Sequence, residues 1–72
     1  MTNNTTMYPQ HIETSAAARA FLAAWRATGD RESPHRLIRG VDVCYVLRGD
    51  SELRCEYGPD GAFLAQRTIG HR

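Results

Sequence analysis

The chain has 72 residues with a formal net charge of +1, nine basic residues standing against eight acidic ones, and 42% of its residues are hydrophobic. That length holds one small domain (1–72) and excludes a second, because chains of this size bury only ~60% of their unfolded surface and sit near the limit of independent stability. Near-neutrality denies the chain a whole-molecule field for nucleic acid or an anionic membrane, and no run approaches the ~18 apolar residues that a membrane span needs.

Residues 1–6 are rich in Asn and Thr and are expected to be disordered, as untethered termini are. The stretch Met1 to Gln10 has neither a basic n-region nor an apolar h-region, so no signal peptide is expected and the reading is cytoplasmic. Met7 to Ile12 offers a short edge strand interrupted by Pro9, or no strand at all.

From Ala16 to Thr28 the alanine-rich sequence predicts a helix, with Thr14 or Ser15 as its N-cap and Gly29 as its C′ residue. At 100° per residue Ala18, Phe21, Leu22 and Trp25 share one stripe, which should pack on a sheet. Arg19 and Arg26, seven apart, are placed together on the solvent side. Asp30 to Pro34 reads as a polar connector whose charges, Glu32 among them, are solvated. Arg36 to Arg39 either begins a strand that bends at Gly40 or forms the first half of the next strand with a bulge.

Val41 to Ile69 reads as two consecutive hairpins. Gly58-Pro59-Asp60-Gly61 suits a three-residue loop with a bulge, which sets Tyr57 against Phe63 and Cys55 against Ala65. Two registers compete at the first turn, Gly49-Asp50-Ser51. A two-residue loop pairs Cys44 with Cys55, Tyr45 with Arg54 and Leu47 with Glu52, mixing apolar and charged residues on each face. A three-residue loop pairs Leu47 with Leu53, Tyr45 with Cys55 and Val43 with Tyr57, which segregates them, and is preferred on that ground. The inner face is then Val41, Val43, Tyr45, Leu47, Leu53, Cys55, Tyr57, Phe63, Ala65 and Ile69; the outer face is Asp42, Cys44, Val46, Arg48, Glu52, Arg54, Glu56, Leu64, Gln66 and Thr68. The predicted fold class is α+β, one Ala-rich helix on a three- to four-stranded antiparallel β-meander.

In the preferred register Cys44 and Cys55 lie on opposite faces, so free thiols in a reducing compartment are expected, with Cys44 at the surface and Cys55 in the core. His11, His35, His71 and the two cysteines show neither Cys-x2-Cys nor His-x3-His spacing, and no histidine in a rigid element stands beside Cys44. No metal, no cofactor and no catalytic residue is therefore expected, and the reading is non-enzymatic. Arg48-Gly49-Asp50-Ser51 is read as a hairpin turn, not as an adhesive motif.

The predicted outer face carries Cys44, Val46 and Leu64 ringed by Arg48, Arg54, Glu52 and Glu56, an apolar centre with a charged rim of the kind that protein interfaces have. Those seven residues, with Arg19 and Arg26 of the helix, are the candidate partner-binding set. Nucleic-acid binding by Arg48, Arg54, Arg36, Arg39 and Arg67 is opposed by Asp42, Glu52 and Glu56 and by the lack of aromatics for base stacking on that face. All nine basic residues are Arg, from either genome composition or interface use.

This layout, a short chain with one Ala-rich helix and a small antiparallel sheet closed by a Pro-Asp-Gly turn, resembles accessory proteins of phages and other mobile elements. It is similar in size and plan to some anti-CRISPR inhibitors. The resemblance implies a binding protein that blocks a host surveillance complex, and it assigns no individual residue. A small nucleic-acid-binding regulator and a dimeric structural subunit joined through its last strand are the alternatives.

Overall fold

A computed structural model describes residues 15–72. The predictions for residues 1–6, for a strand over Met7 to Ile12 and for His11 lie outside the described residues. Helix α1 (Ala16–Thr28) is followed by β1 (Arg36–Ile38), β2 (Val41–Arg48), β3 (Ser51–Tyr57) and β4 (Phe63–His71), which form one antiparallel sheet in the order β1-β2-β3-β4. The fold is α+β and the sheet is not closed.

The helix has the predicted bounds because its ends are chemically marked. Ser15 caps the first turn by accepting the Ala18 N–H at 3.0 Å, and Gly29 ends the helix in the left-handed conformation with its N–H on the Arg26 carbonyl. Ala18, Leu22 and Trp25 are buried, with Phe21 at the edge of the stripe. Leu22 and Trp25 pack with Tyr45, Leu47 and Ile69, and Tyr45 stacks on Trp25 at 5.9 Å between ring centroids.

Each strand connection is a tight turn. Arg39 and Gly40, at φ 54 and φ 81, make a two-residue turn that pairs Ile38 with Val41, so the segment before Gly40 is a separate strand. At the second turn the structure selects the register that the sequence reading set aside. Gly49 at φ 62 occupies the first central position of a two-residue loop, and Arg48 pairs with Ser51, Leu47 with Glu52, Tyr45 with Arg54 and Cys44 with Cys55. At the third turn the expected three-residue loop forms: the Gly58 N–H donates to Ala62, and Tyr57 faces Phe63 edge-on at 5.9 Å. Beyond that pair an irregularity at Leu64 shifts β4, so Cys55 meets Gln66, not Ala65, and a second shift at Ile69 brings Gly70 opposite Glu52.

The first-hairpin register turns β3 over. The helix-facing side of the sheet carries Val43, Tyr45 and Leu47 as predicted, but from β3 it takes Glu52, Arg54 and Glu56, while Leu53, Cys55, Tyr57 and Phe63 lie on the opposite side with Cys44 and Val46. The rule that one face is solvated fails here because the central strands are buried on both sides, with Val43, Cys44 and Tyr45 each at 0% exposure. A charged set is admitted on the helix side because the helix supplies its counter-charge.

Candidate functional site

That counter-charge comes from Arg26. Glu52, whose side chain is 1% exposed, accepts from Arg26 Nε at 2.8 Å and Arg26 Nη2 at 2.6 Å, and from Arg72 Nε at 2.8 Å. A Cβ at Gly70 would stand 3.1 Å from the Glu52 carboxylate, so the glycine leaves room for it. The two guanidinium groups hold the Glu52 carboxyl down at about 2 against the opposing effect of burial. Arg72 also lies over the Trp25 ring at 4.5 Å and Arg36 over the Phe21 ring at 4.4 Å. Arg54, equally buried, is bonded to Glu56 on the same strand.

The opposite side holds a different constellation. Residues 31–33 lie along β2: the Ser33 N–H donates to the Tyr45 carbonyl at 2.8 Å, the Leu47 N–H to the Arg31 carbonyl at 2.7 Å, and the Tyr45 N–H to Ser33 Oγ at 2.8 Å. This pinned segment carries Glu32, and His35 follows three residues later. His35 Nδ1 sits 2.9 and 3.0 Å from the two Asp42 oxygens, and its Nε2 sits 3.3 Å from Glu32 Oε2. The Cys44 thiol donates to that same Glu32 oxygen at 3.9 Å. The Tyr57 ring packs on His35 at 5.6 Å between ring centroids.

Electrostatics sharpen this cluster. Asp42, with Glu32 behind it, raises the His35 pKa above its ordinary value, so the ring is a protonated ion-pair partner over a wider pH range. Burial pushes the Cys44 thiol up to about 11, and the neighbouring Cys55 and Glu32 push the same way. Burial likewise raises Cys55 and Tyr57. At neutral pH both cysteines are thiols, and both are free. Neither is the low-pKa nucleophile that a cysteine enzyme uses.

Backbone direction explains why the facing cysteines are unbridged. Tyr45 and Leu47 point their backbone groups towards residues 31–33, so Cys44 points its own towards β3, and Cys44 with Cys55 is a hydrogen-bonded pair. Such pairs hold their Cα atoms at ~5.5 Å and their side chains farther apart than the alternate kind.

The candidate partner-binding residues do not share one face. Cys44, Val46 and Arg48 lie on the thiol side, and Cys44 is in the core, not at the surface. Glu52, Arg54 and Glu56 lie on the helix side, the first two buried, because the two-residue turn reverses the side of every β3 residue. Leu64 is 58% exposed at the β4 irregularity, and Arg19 is exposed on the helix. Arg26 turns inward to Glu52 and so leaves the solvent-side pair expected with Arg19. The sequence reading took Glu32 for a solvated loop charge, set His35 aside as a ligand for want of motif spacing and placed Asp42 on the outer face, without joining the three. The i, i+3 spacing of Glu32 and His35 was legible, but their approach to Cys44 needs the pairing of residues 31–33 with β2.

A second exposed region completes the surface. Among the described residues β4 has one neighbouring strand, and it carries Phe63 at 56% and Leu64 at 58% exposure. Among the described residues no helix is long and apolar enough to cross a membrane. No protein-family model matches the chain, and no curated protein or solved structure matches it either.

Proposed function

We propose that the chain is a non-enzymatic protein-binding module that docks through its β4 edge. The observation that carries this reading is a nine-residue strand, Phe63–His71, which among the described residues is paired on one side and which begins with exposed Phe63 and Leu64. An unpaired edge of that length is a template for strand addition, and the two apolar side chains supply side-chain grip. The anti-CRISPR-like layout supports a host defence complex as the partner, blocked sterically.

Hydrogen-bond direction supplies a test. Arg54 and Glu56 point their backbone groups at Arg67 and Ala65, which leaves the amides of Gln66 and Thr68 directed away from the sheet. Proline at either position removes an outward donor without touching the internal ladder. The reading expects the wild-type chain to restore plating of a targeted phage on a CRISPR-active host, and Gln66→Pro or Thr68→Pro to abolish that effect while retaining the fold. Unchanged plating with wild-type protein, and no complex with the surveillance machinery on size exclusion, would remove the inhibitor. A concentration-dependent dimer broken by the same prolines would assign the edge to a second copy instead.

A further inference from the structure

We propose that Glu32, His35 and Cys44 form a binding site for a single zinc-class divalent ion, with Asp42 orienting His35. The three ligand atoms lie within 4.8 Å of one another. Ligands at about 2.1 Å (nitrogen, oxygen) and about 2.3 Å (sulfur) around a tetrahedral ion stand about 3.4 to 3.6 Å apart. The observed separations, 3.3 Å from His35 Nε2 to Glu32 Oε2 and 3.9 Å from Cys44 Sγ to that oxygen, are close to those edges. The third edge, His35 Nε2 to Cys44 Sγ, is within 4.8 Å, and closing it calls for rotation of Glu32 and His35, whose side chains are 61% and 44% exposed.

Three further features fit an ion. The Asp42 carboxylate on His35 Nδ1 turns Nε2 towards Glu32 and Cys44 and reproduces the carboxylate–histidine–metal arrangement that fixes ring orientation in metal sites. Cys44 and Asp42 share one side of a central strand, and residues 31–33 are hydrogen-bonded to that strand, so Cys44 and Glu32 stand on paired backbone. A thiolate with an imidazole selects zinc or cobalt over magnesium and calcium. Coordination forms the sulfur–metal and nitrogen–metal bonds as the Cys44 thiol proton, and the Nε2 proton of a charged His35 ring, leave to solvent, and one position of the tetrahedron is left on the exposed side for water or a partner's side chain. The proposal is separate from the β4 edge and stands whether or not that edge binds a protein.

The test is titration of chelator-treated full chain with Co2+, followed by displacement with Zn2+. One cobalt per chain is expected, with thiolate-to-cobalt charge-transfer absorption, and Mg2+ or Ca2+ should not displace it. C44S should abolish the charge transfer and C55S should retain it. H35A and E32Q alter side chains that are 44% and 61% exposed, and each should weaken binding at least tenfold. D42N should weaken it roughly 10- to 100-fold through the ring orientation alone, and H71A should leave it unchanged. The absence of charge transfer in the wild-type protein, its loss in C55S but not C44S, or undiminished affinity in both H35A and E32Q would overturn the site.

Discussion

On the helix side of β3, Glu52 and Arg54 are closed off from water by ion pairs with Arg26, Arg72 and Glu56. On the other side of the same strand, Leu53 and Cys55 are closed off by apolar contact with Cys44, Val46 and Tyr57. Alternate residues of one strand are thus buried to the same degree through opposite physics. Burial alone therefore says nothing about how a residue will respond to mutation, pH or salt. The helix side depends on charge balance and should fail when one sign is removed; the thiol side depends on volume and should fail when it is hollowed.

The largest effect should come from stripping the cations. Replacing Arg26 and Arg72 with Ala leaves a carboxylate that is 1% exposed without a counter-charge, a change that costs about 3–5 kcal/mol. Glu52→Gln should cost less, about 1–3 kcal/mol, because the amide still accepts a hydrogen bond and the arginine side chains, 45% and 23% exposed, can be hydrated. Urea unfolding measures both. If the glutamine variant were as unstable as the double arginine variant, the charge account of this face would be wrong.

Next, Leu53→Ala on the opposite face should cost about 3 kcal/mol through the lost methyl groups and the cavity left beside Cys44 and Cys55. Unlike the loss on the helix side, this one should be the same at every pH where the chain is folded. It also tests the register. In the pairing first preferred from sequence, Leu53 would share the Trp25 face, and its truncation would perturb indole fluorescence; in the observed fold that signal should be unmoved.

The register shows where sequence reasoning reached its limit. The helix was legible because Ser15, the alanine run and Gly29 are local signals, and the Pro59-Asp60-Gly61 turn with its Tyr57–Phe63 pair was legible for the same reason. The first hairpin was not. Its two registers differ by one residue, and the choice between them assumed that one face meets solvent and collects the charges. Arg26 overturned that assumption from 26 residues away, by making a buried glutamate affordable on the helix side. The Glu32–His35–Cys44 cluster was hidden for a related reason: only the observed register and the pairing of residues 31–33 with β2 bring a connector's charges to a core thiol.

Acid should separate the two faces without any mutation. Glu52 has a folded-state pKa of about 2 against an ordinary value of 4.5, so its stabilisation is present above about 4.5 and is lost as the pH falls towards 2. Thermal midpoints of the wild type and of Leu53→Ala should fall together across that window. Those of Glu52→Gln should fall less steeply, since the variant has already given up the titrating group.

The smallest effect has the opposite sign and belongs to the thiol side. His35 has a folded-state pKa raised by Asp42 and then Glu32, so in the metal-free chain its contribution is complete below the ordinary value of 6.5 and disappears as the pH rises through the folded-state value. The ring is 44% exposed, and solvent screening keeps the gain small. Midpoints measured in chelator should therefore drift down as the pH rises above 6.5, and His35→Ala should flatten that drift while leaving the acid limb intact. Bound zinc should reverse it, because the ion needs the neutral ring and the Cys44 thiolate, both favoured as the pH rises. A downward drift that persisted unchanged at saturating zinc would mean that His35 keeps its proton between the two carboxylates and that the ion, if bound, sits elsewhere.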